Sequence, residues 1–414
     1  MATDDRRDDL VQRLLEHCAH VCVTGDEGPI ADAMVDRYTD LGEQVVRVGH
    51  SVVVGGPRTG RPSRPGTTDG GTTDGGTAEA DRPLVLLVGH LDVVPPTDDD
   101  LHPRVEDRDG TEVVVARGAS DMKAGNVIGM RAFEDERLRA DSPYDLALLL
   151  YAGEEGPSAG NELRDVLAEV TWLRDAALAI VLEPTDGEVQ LGCLGGLHAV
   201  LTFPGQQAHS ARPWHGRNAL TAAGSFLTEL DDDHVDEVVI DGIRYLDVWS
   251  ATMAWTPGLG PDATPTTSPV RNVIPGSFMV NLNLRFAPSR STDDAEVELR
   301  ARVGDRAEVE IVDVVPGAPP RLDEPVVRAF VDDVGAEVAA KQAWTDVARF
   351  AEVGVPALNY GPGLTGQAHQ RGEFAPIDGL VDASLRLERF LRGDGDGRSA
   401  LRVEPAADTP PAAS

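Results

Sequence analysis

The sequence has few cysteines, few lysines and no long hydrophobic run, and each absence excludes a class of protein. Three cysteines in 414 residues are too few for a disulfide framework and are typical of a reducing compartment. The longest apolar run, Leu146–Ala152, is far shorter than the roughly 20 residues that a membrane helix needs. The first residues are charged and lack the apolar segment of a signal peptide. We therefore expect a cytoplasmic protein.

Positive charge is also scarce. The chain has 37 Lys and Arg residues, of which only Lys123 and Lys341 are lysines, against 70 Asp and Glu residues. The resulting net charge of −33 would repel nucleic acids and anionic membrane surfaces. We therefore expect neither of them as a partner.

A length of 414 residues predicts two domains. In the outer parts of the chain, short apolar runs alternate with segments of helical periodicity. This alternation predicts an α/β domain with a mixed, mostly parallel sheet, formed by residues 1–193 and 304–393. The predicted buried strands are Leu84–Val88, Val113–Ala116, Leu146–Tyr151, Leu178–Leu182 and Val355–Leu358. The predicted helices are 9–22, 28–42, 122–138, 158–173, 325–340 and 378–392.

The middle of the chain has a different pattern. Strands at His198–Phe203, Tyr245–Met253 and Phe278–Phe286 surround a helix that begins near Asn218, which predicts an inserted α+β domain at 194–303. Two further segments have too few apolar residues to fold, since they cannot offset the entropy of ordering. They are the Gly- and Thr-rich insertion at 55–82 and the tail at 394–414, which we expect to be disordered and flexible.

Acidic and imidazole side chains follow the ends of the predicted strands. In an open α/β sheet, the loops at the carboxyl ends of the strands form the ligand crevice, so these side chains should converge on one side. They are His90 and Asp92, Glu154 and Glu155, Glu183, and His369, with Asp121 just before a helix.

This set of side chains predicts a site for two metal ions. Imidazole nitrogens and carboxylate oxygens are the ordinary non-thiol ligands of zinc, and a metal pair needs a bridging carboxylate. We expect Asp121 to be the bridge. His90 and Glu183 would complete one site, and Glu155 and His369 the other. The same ligands accept cobalt or manganese in place of zinc.

Glu154 is left over beside the five predicted ligands. An unligated carboxylate next to a metal pair is what a general base should be. A second cluster, at His17, Cys18, His20 and Cys22, is a weaker candidate for a metal site. A structural zinc site draws its ligands from two separated pairs, whereas these four residues would crowd one stretch of helix, so we expect packing residues there.

The motifs resemble those of the M20 metallopeptidase and deacylase family. The matching segments, in order, are Gly89–Pro95, Gly118–Gly125, Glu154–Gly156, Glu183–Thr185, Pro204–Ser210 and Asn272–Gly276. Within that family, Trp344–Phe350, Asn359–Gly363 and Ala368–His369 are similar to succinyl-diaminopimelate desuccinylases of the actinobacterial type.

The resemblance implies a fold, an activity and an assembly. It implies a zinc-dependent hydrolase, with two Zn²⁺ per subunit, that cleaves N-succinyl-LL-2,6-diaminopimelate in lysine and diaminopimelate biosynthesis. It also implies that the inserted domain is a lid and that this domain mediates the formation of a homodimer. At the site, it implies that Asp92 orients His90 and that a cis peptide bond follows Asp121.

The resemblance also assigns residues in the inserted domain and beyond. His209 of the partner subunit would stabilise the oxyanion, and Asn272, Arg285 and Thr345 match substrate-binding positions. One departure concerns specificity, because Cys193 and Leu194 stand where proteobacterial members carry arginines. The succinyl carboxylate must therefore be recognised differently.

Two alternatives remain at this stage. Acetylornithine deacetylases, aminoacylases and dipeptidases of the same family share every metal ligand, so the ligands cannot distinguish them from a desuccinylase. A non-catalytic protein that kept the fold as a metal- or ligand-binding relic is the other alternative. The presence of Glu154 and of all five ligand candidates disfavours the relic.

Overall fold

A computed structural model gives the fold and describes residues 3–56, 82–232, 235–257 and 272–393. The predictions for most of the insertion at 55–82 and for the tail at 394–414 lie outside the described residues. Contacts divide the chain into two compact units. The first comprises Met1–Leu191, Arg321–Val338 and Arg349–Glu404, and the second comprises Gly192–Pro320, Ala339–Ala348 and Pro405–Ser414.

The elements are numbered in chain order. The helices are α1 Thr3–Ala19, α2 Gly28–Asp40, α3 Ala124–Glu134, α4 Glu136–Asp141, α5 Leu163–Glu169, α6 Ala219–Ala222, α7 Gly224–Asp232, α8 Thr292–Val303, α9 Pro325–Val334, α10 Val347–Glu352 and α11 Ile377–Arg392. The strands of the first half are β1 Val45–Val48, β2 Ser51–Val54, β3 Leu84–His90, β4 Arg104–Arg108, β5 Thr111–Val115, β6 Asp145–Tyr151, β7 Leu178–Val181, β8 Val189–Leu191 and β9 Gly195–Pro204. The later strands are β10 Ala208–His209, β11 Val235–Ile240, β12 Ile243–Trp255, β13 Val273–Ile274, β14 Ser277–Phe286, β15 Glu308–Val315, β16 Val338–Ala340, β17 Ala357–Asn359 and β18 Phe374–Pro376.

The first unit is built on an eight-stranded sheet in the order β1-β2-β6-β3-β7-β17-β8-β16. Its central pairs, β6 with β3, β3 with β7 and β7 with β17, are parallel, and β1, β2 and β8 add antiparallel pairs. The central strands are buried along almost their whole length, as expected for strands covered on both faces. The predicted α/β fold with a mixed sheet is confirmed.

The second unit is an antiparallel sheet in the order β11-β12-β14-β9-β15. Leu197, Leu201 and Leu282 of this sheet pack with Phe226 of α7 and Leu299 of α8 in one apolar cluster. Strand β15 pairs with β9 along most of its length. The sheet therefore continues past the predicted boundary at residue 303, which was placed too early because the acidic residues within β15 obscure its alternating pattern.

Three predicted helices are shorter than expected. The helix predicted at 158–173 is only α5, Leu163–Glu169, between short 3₁₀ turns at Ser158–Gly160 and Thr171–Asp175. The helix predicted at 325–340 ends at Val334, because Gly335 takes a left-handed φ of 60°, and β16 follows. The helix predicted at 122–138 begins only at Ala124, after an irregular turn at Ala119–Lys123. Among the helices of the described residues, none combines the length and hydropathy that crossing a bilayer would require.

Candidate metal centre

The parallel strands bring the predicted ligands to one edge of the sheet. Strand β3 ends at His90, which pairs with Tyr151 at the end of β6, and Val88 of β3 pairs with Val181 at the end of β7. The residues that follow these strands therefore emerge side by side, and they include Glu154, Glu155 and Glu183. His369 comes from the loop after β17, and Asp121 from the turn before α3.

Asp121 lies between the two imidazoles. Its Oδ1 is 3.2 Å from Nε2 of His90, and its Oδ2 is 3.6 Å from Nε2 of His369. The same His369 nitrogen is 2.8 Å from Oε2 of Glu155. Asp121 is therefore placed to share its two oxygens between two neighbouring sites.

Three groups of potential ligand atoms lie within 4.8 Å of one another in the described residues. The first contains His90, Asp121 and Glu183, and the second contains Asp121, Glu155 and His369. These are the two predicted ligand sets, joined at Asp121. The third contains His90, Glu154 and Glu155, so Glu154 lies beside the shared centre, as its predicted role requires. The binding of metal by these residues itself stays a prediction.

Asp92 contacts His90 mainly through its backbone. Nδ1 of His90 is 2.9 Å from the backbone carbonyl oxygen of Asp92 and 3.7 Å from its carboxylate. The carboxylate instead accepts hydrogen bonds from the backbone N–H groups of Gly153, Glu154 and Glu155, and from the hydroxyl of Thr24. Asp92 thus orients His90 through its backbone, and its side chain holds the loop that carries both glutamates.

Glu373 is a residue of the site that sequence reasoning missed. Its buried carboxylate accepts hydrogen bonds from the backbone N–H groups of Gly118, Ser120 and Asp121 and from the guanidinium of Arg117. A glutamate four residues after His369 was the only signal in the sequence, and many surface glutamates have such a spacing.

The peptide bond between Asp121 and Met122 is cis, which confirms the expectation of a cis peptide bond after Asp121.

The carboxylates change the basicity of both imidazoles. Burial alone would lower the pKa of His90, but the carboxylates of Asp121, Glu154 and Asp92 outweigh it and hold that pKa well above its ordinary value. The hydrogen bond with Glu155 raises the pKa of His369, with burial opposing it. A bound metal requires neutral imidazole, so cation binding at these residues would compete with protonation.

The donor set fits a pair of divalent cations. It offers two imidazole nitrogens and carboxylate oxygens with no thiol, and this chemistry suits zinc, cobalt or manganese. The backbone carbonyl of Asp92 lies at Nδ1 of His90, and the opposite nitrogen faces Asp121, an orientation that a metal-binding histidine would need.

The remaining predicted residues lie in the second unit. His209 and Asn272 are exposed on the paired strands β10 and at the start of β13, where Ser210 donates its N–H to the carbonyl of Asn272. Thr345 is buried, and its carbonyl accepts a weak hydrogen bond from the thiol of Cys193.

Arg285 lies on β14 beside Gly196 of β9. Burial lowers the pKa of this guanidinium, with Cys193 and Asp313 opposing the effect. In the part of the chain that the structure describes, Arg285 makes no ion pair with a carboxylate.

The cluster at residues 17–22 has the expected packing role. Cys22 donates its thiol to the carbonyl of Leu91, and burial raises the pKa of Cys18 to about 12. The ammonium of Lys123 binds the carbonyls of His20 and His17. Within the described residues, no group of potential metal ligands includes a cysteine.

The fold is that of a metal-dependent peptidase family. The profile of peptidase family M20/M25/M40 matches residues 86–393, and the chain belongs to that family. A Corynebacterium glutamicum protein named succinyl-diaminopimelate desuccinylase is 33% identical over 379 residues, which are 89% of this chain and 92% of that protein.

Two further proteins are similar to the chain. A Mycobacterium tuberculosis protein, provisionally named succinyl-diaminopimelate desuccinylase DapE, is 38% identical over 311 residues, 75% of this chain and 82% of that protein. The crystal structure of aminopeptidase PepT from Bacillus cereus has the same fold, with a TM-score of 0.67 at 17% identity over 94% of this chain and 98% of that one.

Proposed function

We propose that the chain hydrolyses N-succinyl-LL-2,6-diaminopimelate to succinate and LL-2,6-diaminopimelate, with two Zn²⁺ ions held by His90, Asp121, Glu155, Glu183 and His369. The observation that supports this most is the pair of three-residue ligand groups that share Asp121. The names of the relatives at 33–38% identity support the choice of substrate. Zinc at these residues would polarise the amide carbonyl and lower the pKa of water.

Glu154 would move the proton in this reaction. Its carboxylate, close to His90 and Glu155, would accept a proton from the attacking water and pass it to the leaving amine. The backbone of Glu154 is held in place, because its N–H donates a hydrogen bond to the buried carboxylate of Asp92. The base would therefore sit on a loop that is fixed before the substrate binds.

His209 would donate to the oxyanion of the tetrahedral intermediate. Its Nδ1 accepts a hydrogen bond from the backbone N–H of Ala211, at 3.1 Å. In a neutral imidazole the proton then resides on Nε2, which leaves a donor on the exposed edge of the ring. We expect this group to act on the partner subunit's substrate in a homodimer.

The substrate's carboxylates would be recognised by Arg285, with Asn272 and Thr345 as further contacts. A guanidinium binds a carboxylate through two parallel hydrogen bonds, and Arg285 has no ion pair with a carboxylate of the described residues. This would supply a recognition group in a chain that carries Cys193 and Leu194 at positions where the resemblance implies arginines in proteobacterial members. A cytoplasmic location also belongs to this proposal.

The decisive experiment is a comparison of substrates. Purified protein loaded with zinc is assayed with N-succinyl-LL-diaminopimelate and with N-acetylornithine, and the Glu154→Gln variant serves as the blank. We expect a higher kcat/KM for the succinyl substrate. Faster cleavage of acetylornithine would favour a deacetylase or another amide hydrolase of the family. A zinc-loaded protein inactive on both substrates and on a panel of N-acyl amino acids and dipeptides would indicate a non-catalytic relic.

A further inference from the structure

The turn at Arg117–Asp121 is held by one buried carboxylate. Oε1 of Glu373 accepts from the N–H groups of Ser120 and Asp121 at 2.8 and 2.9 Å. Oε2 accepts from the N–H of Gly118 and the guanidinium of Arg117, both at 2.9 Å. The Glu373 side chain is only 1% exposed, so water cannot replace these contacts.

These four contacts use the whole acceptor capacity of the Glu373 carboxylate. A carboxylate offers about four lone-pair positions, and all of them face donors of the turn or of Arg117. Glu373 therefore has none left for a metal ion, although it lies four residues after His369. It can act on the centre only through the backbone of the turn.

The neighbours of Glu373 are themselves fixed in place. Arg117 also forms an ion pair with Asp100 at 3.1 Å, and Asp100 accepts a hydrogen bond from the N–H of Gly372. Glu373, Arg117 and Asp100 therefore form one buried network. Gly118 has a φ of 81°, and an added Cβ would lie 2.6 Å from a methyl carbon of Val93. Only glycine lets this amide face Glu373.

We propose that Glu373 is a positioning residue that makes Asp121 a bridge between two cations. By fixing the N–H of Asp121 itself and of the preceding residues, it sets where the Asp121 carboxylate points. That carboxylate has one oxygen 3.2 Å from His90 and the other 3.6 Å from His369. The inference rests on the proposed metal pair, and it adds a residue that does not itself touch the ions.

The test is zinc binding to metal-stripped protein, measured as stoichiometry and affinity by chelator competition. In Glu373→Gln, one acceptor oxygen becomes an NH₂ group that faces backbone donors, so both affinities should fall about 10–100-fold, the usual effect of losing such a support. Glu388→Gln is the matched control. Glu388 is a buried acid of the same unit, paired with Arg6 and Arg131 away from the ligands, and its variant should lose stability but keep both zinc affinities.

Folding of each metal-free variant is checked by circular dichroism. If Glu373→Gln does not fold, Glu373→Asp, which keeps the charge but cannot reach all four donors, replaces it with the same expectation. Wild-type affinity for two zinc ions in a folded variant would overturn the proposal and leave the metal centre standing. A wild-type protein that fails to bind two zinc ions would overturn the metal centre, and this inference with it.

Discussion

Glu154 and Glu155 are adjacent, but their carboxylates have different neighbours. Glu155 is 2.8 Å from the nitrogen of His369 and belongs to the ligand group that contains Asp121. Glu154 belongs to no group with Asp121 in the described residues. The same loop therefore presents one carboxylate to the shared centre and one beside it, and substitutions of the two should have different effects.

We expect Glu154→Gln to retain two zinc ions and to lose turnover by about 10²–10⁴-fold, the usual contribution of a general base. The amide keeps the size of the side chain but cannot accept the proton. Zinc content and kcat are measured on the same sample. Glu155→Gln is the matched variant and should lose zinc. Full zinc with near-normal turnover in Glu154→Gln would contradict the assignment.

For Arg285→Lys we expect kcat/KM to fall at least tenfold, about 1.4 kcal/mol, with zinc content unchanged, because an ammonium cannot form the two parallel hydrogen bonds of a guanidinium. Gly196→Ala should act in the same direction. Its added Cβ would lie 2.9 Å from Nη1 of Arg285 and would displace the guanidinium.

The controls for Arg285 are Arg300→Lys on the exposed face of α8 and Gly224→Ala, where an added Cβ meets nothing within 4 Å. Both should leave the kinetics unchanged. A fall of less than about threefold in Arg285→Lys would mean that this side chain does not bind the substrate.

The positions of single residues were predictable where topology alone determines them. His90, Glu155 and Glu183 follow parallel strands, and parallel strands end at a common edge, so their convergence follows from the sequence pattern. The supporting carboxylates of Asp92 and Glu373 were not predictable in the same way. Their partners are backbone N–H groups of distant turns, which leave no pattern of residue types in the sequence.

At the scale of elements, long apolar segments were predicted well and irregular ones were not. Helix α11 has apolar residues at helical spacing, and strands β3, β6 and β7 are short, continuous apolar runs, so the pattern indicated each of them. The irregular turn before α3 did not follow from the local pattern, and its cis peptide bond was expected only from the family resemblance. The helix predicted at 325–340 was too long, because Gly335 takes a left-handed conformation and ends α9 at Val334.

Glu134 joins three helices of the first unit. It ends α3 and bonds Arg13 of α1 and Arg37 of α2, with the hydroxyl of Tyr38 as a further donor. Burial alone would raise the pKa of Glu134, but the two guanidinium groups outweigh it and hold that pKa below its ordinary value of 4.5. The ionised form is thus more stable in the folded chain than in the unfolded one.

This pKa has a consequence for acid stability. A group whose pKa is lowered on folding stabilises the protein above its unfolded pKa, and this contribution is lost as the pH falls through the folded pKa. We expect Glu134→Gln to lower the free energy of unfolding by about 1.5–3 kcal/mol near neutral pH. The difference from the wild type should shrink as the pH falls well below 4.5.

Urea unfolding at a series of pH values measures this difference. Glu16→Gln, an exposed acid on α1, is the control and should show no such trend. A difference between Glu134→Gln and wild type that stays constant down to acid pH would show that the three-helix contact does not depend on the charge.

The net charge of −33 acts on the molecule as a whole. The proposed substrate carries three carboxylates, so the field of the protein should slow its approach, while the local cations bind it at short range. At about 0.01 M salt this field extends about 30 Å, and at about 0.15 M it extends about 8 Å. Added salt should therefore weaken the long-range repulsion before it weakens the contacts inside the site.

We expect kcat/KM for N-succinyl-LL-diaminopimelate to rise as KCl increases from about 0.01 to about 0.15 M and then to level off, because a repelled partner associates faster when the field is screened. N-acetylornithine, with a single carboxylate and a cationic amine, should respond much less, and it serves as the control for salt effects on the protein itself. Sucrose at equal osmolarity should have no comparable effect. A steady fall of kcat/KM over the same salt range would mean that local attraction at the site outweighs the charge of the whole chain.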